Sequence, residues 1–493
     1  MTRQFRRLLA LSDPAAAGPA AAGQLGAKAA RLAAALRAGL PVLPGWAVPV
    51  SEGRAAAQAG AGAVAAAGMP AGRRAVLGRP LDPPLAAELR AAVLLLGGRV
   101  IVRSSSPLEG DARWSGAFSS VAEVGPDDVA TAVRSCWAAA FAVDPLERLA
   151  ACGLPPAALE LGLVIQAELR PDAGGVARVT GSAASGQARA GQATEVSVEG
   201  VAGHPGALLS GWSEGAGAQV RLPPATAGRA APAQPAVSDS GLAALLGRDL
   251  IAAVASLAAT VCRELGDNMI EWAAVDGVIW LLQSLRSTPV PGVAAPAAAA
   301  RPERAAVLVA TPPPAPAAGA GPAGRRPVAA GLAGWAGQAD PADPGLAEAA
   351  AAAFRAPGAA AGSLAARQWM PLLAAVTQAQ GQHVPGRPAA PGTAAGRLVR
   401  CRPHERPEGG GTDAILLVDR PLPALAPLLF GARGVIARAG AAGSHLAEVA
   451  RSLGVPMVIG CRPDEVLGEG LPGRDWIAAI DGGAGDVALL PAS

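Results

Sequence analysis

The stretch GVIARAGAAGSHLAEVARSLGVP, residues 434–456, contains the most informative local pattern of the sequence. Its first four residues predict a short buried strand, and a run of small residues follows. Ser444 is a favoured N-cap residue, and the next nine residues predict a helix that Gly454 closes before a proline. The segment therefore predicts a strand, a small-residue loop and a helix of an α/β fold, with His445 in the first helical turn.

His445 lies where an imidazole can react with a phosphorylated compound. A helix N-terminus favours a nearby anion, and small loop residues let a phosphoryl group approach the backbone. A neutral imidazole is a good nucleophile near pH 7. From these residues alone, one alternative stays open: Ser444 caps the helix and His445 has no chemical role.

The first 290 residues alternate helical and strand-like patterns, with polar residues at informative places. Lys28, the only lysine of the chain, lies near the start of a predicted helix. Arg103 ends a predicted strand, where its guanidinium can hold phosphate oxygens in a planar fork. A turn at 275–277 predicts an antiparallel hairpin that carries Glu271 on one strand and Gln283 on the other.

Composition excludes several classes of protein. The length of 493 residues suggests about three domains. A net charge of +3 gives no basic stripe, which disfavours nucleic-acid binding. Five scattered cysteines without a Cys-x-x-Cys pair support neither a disulfide framework nor a structural zinc site. The apolar runs are too short for a signal peptide or a membrane span, so we expect a soluble, cytoplasmic protein.

Other conspicuous residues are expected to be structural. A continuous helix is predicted over 242–265. The remaining histidines lack metal-ligand spacing and are expected to face solvent: His204, His383 and His404. Three tryptophans lie within apolar patterns and are expected in the core: Trp46, Trp137 and Trp272.

Residues 440–456 resemble the phosphohistidine motif of the PEP-utilising enzymes, which include PEP synthase, pyruvate phosphate dikinase and rifampin phosphotransferase. The motif reads Gly-Gly-x-x-(Ser/Cys)-His-x-Ala-x-x-Ala-Arg-x-x-Gly-(Ile/Val)-Pro, and only its second glycine is replaced, by Ala441. The resemblance implies that His445 is the catalytic residue and carries phosphorus. It also implies three residues of the phosphohistidine loop: Gly440, Ser444 and Arg451.

The N-terminal half resembles the ATP-grasp nucleotide-binding domain of the same family. The similar segments are GAKAARL at 26–32, VRSSSPLE at 102–109, IEWA at 270–273 and LLQS at 281–284. The resemblance implies ATP-binding residues: Lys28, Arg103, Glu109 and Gln166. It also implies that Glu271 and Gln283 hold Mg²⁺, and their spacing of twelve residues is that of the family.

Three departures from the family pattern concern the nucleotide site. Leu285 stands where the family has an arginine, and Arg286, one residue later, is expected to point to the other face of its strand. Gly206 stands where the family has a carboxylate, and residues 116–120 differ from the family's Gly-Gln-x-Asp-Thr loop. These departures leave open a non-catalytic nucleotide-binding relative.

The resemblance implies a multi-domain α/β protein. Its predicted parts are an ATP-grasp domain at 1–290, a Pro/Ala-rich linker with a short helical segment at 291–384, and a swivelling phosphohistidine domain at 385–493. This order is closest to that of rifampin phosphotransferase. The implied activity is transfer of a phosphoryl group from ATP to a small-molecule acceptor, with release of AMP. Another alternative is the ATP and histidine half of a split PEP synthase, with a separate PEP/pyruvate barrel subunit as partner.

Overall fold

The computed structural model of the protein describes residues 5–180, 193–224, 235–238, 240–286, 383–401, 414–463 and 476–491. Nearly all of the predicted 291–384 segment lies outside these residues, and so does His404. The described residues form an N-terminal region, 5–286, and a C-terminal region, 383–491. Both regions combine helices with sheets, so the protein is a multi-domain α/β protein.

Two antiparallel sheets and a set of helices make up the N-terminal region. Its strands are β1 (Leu9–Ala10), β2 (Gly45–Val48), β3 (Val100–Ser105), β4 (Ser120–Val124), β5 (Gly162–Ala167), β6 (Ala173–Thr180), β7 (Thr194–Ala202), β8 (Ala216–Leu222), β9 (Ala236–Val237), β10 (Met269–Val275) and β11 (Val278–Leu285). Its α-helices are α1 (Ala21–Leu25), α2 (Ala27–Arg37), α3 (Val50–Ala67), α4 (Met69–Leu77), α5 (Pro83–Leu95), α6 (Val129–Ala139), α7 (Val143–Ala151), α8 (Gly206–Leu209), α9 (Gly241–Leu246) and α10 (Arg248–Leu265).

The first sheet has five antiparallel strands in the order β1-β2-β5-β3-β4. Helices α3 and α6 pack directly on it, and α4 and α5 pack on α6. Leu89, Val133 and Phe141 are fully buried in the resulting core. Trp137 is buried there as predicted, and Trp46 is half-buried against the same core.

The second sheet has six antiparallel strands in the order β11-β10-β6-β7-β8-β9. Helix α10 packs on it through Ile251, Val254 and Ala258, whose spacing of three and four residues makes one buried face. Trp272 is fully buried, as predicted. The prediction of one continuous helix over 242–265 is wrong, because Gly247 has a φ of +81° and separates α9 from α10.

Helix α2 connects the two sheets. Its Leu32 is buried in the same core as α10, and the turn after the helix is attached to β11 by a hydrogen bond from the Leu281 N–H to the Pro41 carbonyl (2.8 Å). The helix also contacts β3 of the first sheet. Helix α2 therefore lies where the two sheets approach each other.

The C-terminal region is built around one mixed sheet. Its elements are β12 (His383–Pro385), β13 (Arg387–Ala390), β14 (Thr393–Cys401), β15 (Ala414–Val418), a 3₁₀ segment (Pro423–Phe430), β16 (Gly434–Ala437), α11 (His445–Leu453), β17 (Met457–Ile459), β18 (Trp476–Asp481) and β19 (Asp486–Pro491). The strand order is β12-β19-β18-β14-β15-β16-β17-β13, and the run from β14 to β17 is parallel. The predicted strand, loop and helix of 434–453 are confirmed, with Gly454 as the left-handed C-cap.

Nothing in the described part of the chain resembles a bilayer-spanning helix, because no helix there is both long and apolar enough.

Candidate functional site

A cavity of about 480 Å³ lies between the two N-terminal sheets and is closed on one side by the C-terminal region. We call it the central cavity. Every residue predicted to hold ATP or Mg²⁺ lines it, together with the predicted catalytic histidine: Lys28, Arg103, Glu109, Gln166, Glu271, Gln283 and His445. These residues come from six separate segments of the chain, so the fold brings together what the sequence keeps far apart.

Lys28 is held at the wall of the cavity by two hydrogen bonds. Its Nζ donates to the Ser104 carbonyl (2.9 Å) and to Glu109 Oε1 (3.0 Å), and the two charged side chains are only 7% and 9% exposed. The other oxygen of Glu109 accepts from the Ser106 N–H (2.7 Å), which fixes the carboxylate in a capping box. The last residues of β3 and the segment directly after it therefore orient the ammonium group of Lys28.

Arg103 joins the two sheets at the cavity. It extends from β3, and its Nη1 donates to the Leu282 carbonyl on β11 (2.7 Å). Its Nη2 lies 3.6 Å from Glu271 Oε2 on β10. With its side chain only 12% exposed, this guanidinium is a fixed positive charge at the cavity wall. Gln166, on β5, is similarly fixed, because its Nε2 donates to the Leu43 carbonyl (2.9 Å).

The hairpin predicted from the turn at 275–277 is confirmed as β10 and β11, and a register shift between Glu271 and Trp272 makes Glu271 and Gln283 direct partners. Directly opposed residues of an antiparallel pair share a face, and both side chains line the central cavity. Glu271 is only 3% exposed, and its Oε1 has no hydrogen-bond partner among the described residues. A buried carboxylate oxygen without a partner is costly, and a cation would satisfy it.

The oxygen donors of Glu271 and Gln283 suit an open Mg²⁺ site better than a site in which protein side chains supply every ligand. No group of three or more His, Cys, Asp or Glu side chains with metal-site geometry occurs in the described ranges. Mg²⁺ is commonly held by one or two protein oxygens together with substrate phosphates and water. The residues present therefore fit a magnesium ion that a nucleotide would share.

His445 is the first residue of α11, directly after the N-cap Ser444. Its Nδ1 lies 3.0 Å from Ser115 Oγ, which belongs to the N-terminal region. The contact with Ser115 is therefore made through Nδ1 of the ring and not through Nε2. Sequence reasoning missed this contact with Ser115.

The central cavity keeps the His445 imidazole neutral. Burial lowers its pKa from the ordinary 6.5, and the negative charge of Glu271 opposes this shift. Positive charges on three residues lower it further: Lys28, Arg148 and Arg103. At neutral pH the ring is therefore in its nucleophilic form.

Gly116 lets the loop after Ser115 approach the imidazole closely. Its φ is +67°, and a Cβ at this position would lie 2.7 Å from ring atoms of His445. Sequence reasoning noted this stretch only as a departure from the family pattern. The structure gives the glycine a role in making room for the docked ring.

The three residues predicted for the phosphohistidine loop, Gly440, Ser444 and Arg451, make hydrogen bonds in or beside the loop. None of them lines the central cavity. Ser444 Oγ accepts from the Ala447 N–H (3.4 Å), as an N-cap does. Arg451 Nη2 donates to the Ala442 carbonyl (2.6 Å). The Gly440 carbonyl accepts from Arg387 Nη2 (2.9 Å).

Several contacts hold the C-terminal region against the N-terminal region. Arg178 on β6 pairs with the buried Glu448 of α11. Glu199 Oε2 accepts from the Gly443 N–H (2.9 Å) in the loop before His445. Sequence reasoning did not single out these two N-terminal residues, whose partners lie more than 200 positions away in the sequence.

The departures at the nucleotide site have visible consequences. Leu285 is buried in an apolar cluster that also contains Ala441 of the C-terminal region. Arg286 is exposed and donates from Nε to the Gly266 carbonyl (2.9 Å), so it points away from the cavity, as predicted.

Two histidines expected to face solvent have more specific surroundings. His204 is exposed but lines the central cavity beside Gly206, and partial burial and Arg103 lower its pKa. His383 lies on β12, where its Nε2 is 3.2 Å from Asp486 Oδ1 and its side chain is 28% exposed. The prediction that His204 is exposed to solvent is therefore confirmed. The sequence did not predict that His204 also lines the central cavity.

Comparison with known proteins agrees with this arrangement. Residues 22–301, more than half of the chain, match the family model of the pyruvate phosphate dikinase AMP/ATP-binding domain. Residues 410–485 match that of the PEP-utilising enzyme mobile domain. No curated protein matches the chain. The chain therefore belongs to the PEP-utilising enzyme family, and it joins an AMP/ATP-binding domain to the mobile domain of a phosphotransferase.

Proposed function

We propose that the protein transfers a phosphoryl group from ATP to a small-molecule acceptor through a phosphohistidine at His445. The observation that carries the proposal is the position of this imidazole. It lies in the same cavity as the cations Lys28 and Arg103 and the paired oxygen donors Glu271 and Gln283. A neutral imidazole beside these cations and oxygen donors supports attack on a bound polyphosphate.

In the proposed reaction, Nε2 of His445 forms a bond to the β-phosphorus of ATP. The bond between that phosphorus and the oxygen bridging to the α-phosphate breaks, and AMP leaves with this oxygen. The γ-phosphoryl group, still attached to the β-phosphoryl group, is then removed by water as inorganic phosphate. The histidine retains one phosphoryl group for the acceptor.

The residues of the cavity supply positioning and charge for this reaction. Lys28 is buried and Arg103 is only 12% exposed, and carbonyl oxygens fix both cations, so they can hold phosphate oxygens with little reorganisation. Mg²⁺ held by Glu271 and Gln283 would neutralise charge on the nucleotide phosphates. Gly116 leaves room for the imidazole beside them.

Delivery to the acceptor requires the histidine to reach a second place. We propose that the C-terminal region swivels away from the central cavity on the predicted connector of 291–384. The order of the parts supports a rifampin phosphotransferase-like layout, in which one histidine serves two sites. The docking contacts combine ion pairs and hydrogen bonds with an apolar cluster around Leu285 and Ala441, and a mixed interface of this kind suits reversible association.

Labelled nucleotide tests the proposed function directly. The protein with Mg²⁺ and ATP carrying label in the β-phosphate is expected to gain acid-labile label and to release AMP. After the γ-phosphoryl group is hydrolysed, γ-labelled ATP leaves no stable label. Intact-mass measurement with ATP or with PEP identifies the donor. Nucleotide binding without label or AMP would contradict the proposal and indicate a non-catalytic relative.

The rate of histidine phosphorylation is expected to depend on pH with a midpoint below 6.5. Burial lowers the pKa of His445, and only the neutral ring can attack, so the rate rises with pH through this lowered pKa and then stays constant. Single-turnover measurements between about pH 5 and pH 8 check this. A midpoint above the ordinary histidine value would contradict the neutral-ring mechanism.

A further inference from the structure

An ion pair on α7, between the fully buried Arg148 and the partly buried Asp144, lies behind the loop that contacts the reactive histidine. Arg148 is fully buried, and its Nε and Nη2 donate to the two oxygens of Asp144 (2.6 and 2.8 Å). The two residues are four positions apart on one helix, which places them side by side. Replacing either Asp144 or Arg148 alone would leave the charge of the other residue without its partner, which is costly. The two residues therefore act as one unit.

The remaining donors of Arg148 all bond to backbone carbonyls. Nη1 donates to the carbonyls of Arg113 (2.8 Å) and Ser115 (3.0 Å), and Nη2 also donates to Pro423 (3.4 Å). A guanidinium has five N–H groups, and here all five are used. Arg148 thus fixes the backbone of the loop up to Ser115 and also bonds to the C-terminal region.

Ser115 is itself buried, and its Oγ lies 3.0 Å from Nδ1 of His445. A serine hydroxyl can donate or accept a hydrogen bond, and each arrangement requires a different tautomer of the neutral His445 ring. If the hydroxyl donates to Nδ1, the proton of the neutral ring lies on Nε2, which then cannot attack. If the hydroxyl accepts from Nδ1–H, the lone pair of Nε2 is free.

We propose that Ser115 is a positioning residue that accepts the Nδ1–H of His445 and thereby keeps Nε2 unprotonated, with Asp144 and Arg148 holding Ser115 in place. This inference rests on the proposed function. Because the serine and the histidine belong to different regions, the N-terminal region selects the reactive tautomer only while the C-terminal region is docked.

Nitrogen NMR of the ring tests the inference without any turnover. The chain has four histidines, so protein labelled with ¹⁵N-histidine gives few ring signals. At a pH above the histidine pKa, His445 is expected to show a protonated Nδ1 and an unprotonated Nε2. In Ser115→Ala the signal is expected to shift toward the opposite tautomer, while Ser115→Thr, which keeps the hydroxyl, is expected to retain the original one.

Kinetics provide the second readout. Ser115→Ala is expected to lower the single-turnover rate of histidine phosphorylation by about 10- to 100-fold, as loss of an orienting partner does at other imidazoles. The KM for ATP is expected to stay unchanged, and Ser115→Thr is expected to restore most of the rate. An unchanged tautomer and rate in Ser115→Ala would overturn this inference while leaving the phosphohistidine itself intact. Absence of phosphorylation in the unmodified protein would instead contradict the proposed function, and the NMR result would still decide the tautomer.

Discussion

Replacing His445 with asparagine is expected to abolish incorporation of β-phosphoryl label, with a loss on the order of 10⁴-fold or more in rate. Asparagine is polar and smaller than histidine, and it offers no nucleophilic nitrogen. The side chain is partly exposed at the start of α11, so the substitution leaves little cavity. The measurement is acid-labile label after a single turnover, with AMP followed in parallel.

The matched control for this variant is His383→Asn. His383 lies on β12, pairs with Asp486 and does not line the central cavity, so its variant is expected to label like the unmodified protein. Nucleotide binding by His445→Asn, measured by calorimetry, is expected to persist because the cations of the cavity are unchanged. If label survived in His445→Asn and disappeared in His383→Asn, His383 and not His445 would carry the phosphoryl group. This result would contradict the proposed function of His445.

Replacing Lys28 with methionine is expected to lower the phosphorylation rate by about 10²- to 10³-fold, the usual cost of one lost donor at a developing charge. Methionine keeps the apolar length of the side chain but removes the charge and the N–H donors. The variant also leaves Glu109 buried without its lysine, so unfolding in urea is expected to show a loss of about 3 kcal/mol in the free energy of unfolding.

A double variant separates the two effects of Lys28→Met. Adding Glu109→Gln removes the unpaired carboxylate, so Lys28→Met/Glu109→Gln is expected to regain stability without regaining the rate. Arg286→Met serves as a control, because this cation is exposed and points away from the cavity. Recovery of the rate together with stability would mean that Lys28 is only structural.

The sequence predicts the parts of this site that depend on local geometry. A turn at 275–277 sets the hairpin, whereas the register shift that brings Gln283 opposite Glu271 lies farther along the strands and has no signal in the sequence. The N-cap at Ser444 and the left-handed Gly454 set both ends of α11. At the turn and at both ends of α11, a few neighbouring residues fix the backbone, so the local pattern is sufficient there.

The parts that depend on docking could not be predicted from the sequence. Ser115 contacts His445 across 330 positions, and Arg178 contacts Glu448 across 270. Each contact is made by side chains with no distinctive local pattern, and it forms only where two separately folded sheets meet. The break at Gly247 was missed for a different reason, because the apolar spacing on either side of it is helical.

The chain contains a single lysine, and that lysine is buried at the wall of the central cavity. Apart from its amino terminus, the polypeptide thus offers amine-directed reagents only one target. A nucleotide carrying an acyl-phosphate group would report occupancy of this pocket as one modified peptide in a digest, without background from surface amines. Because nearly all basic side chains of this protein are arginines, a reagent that reacts with lysine side chains can modify the chain only at Lys28.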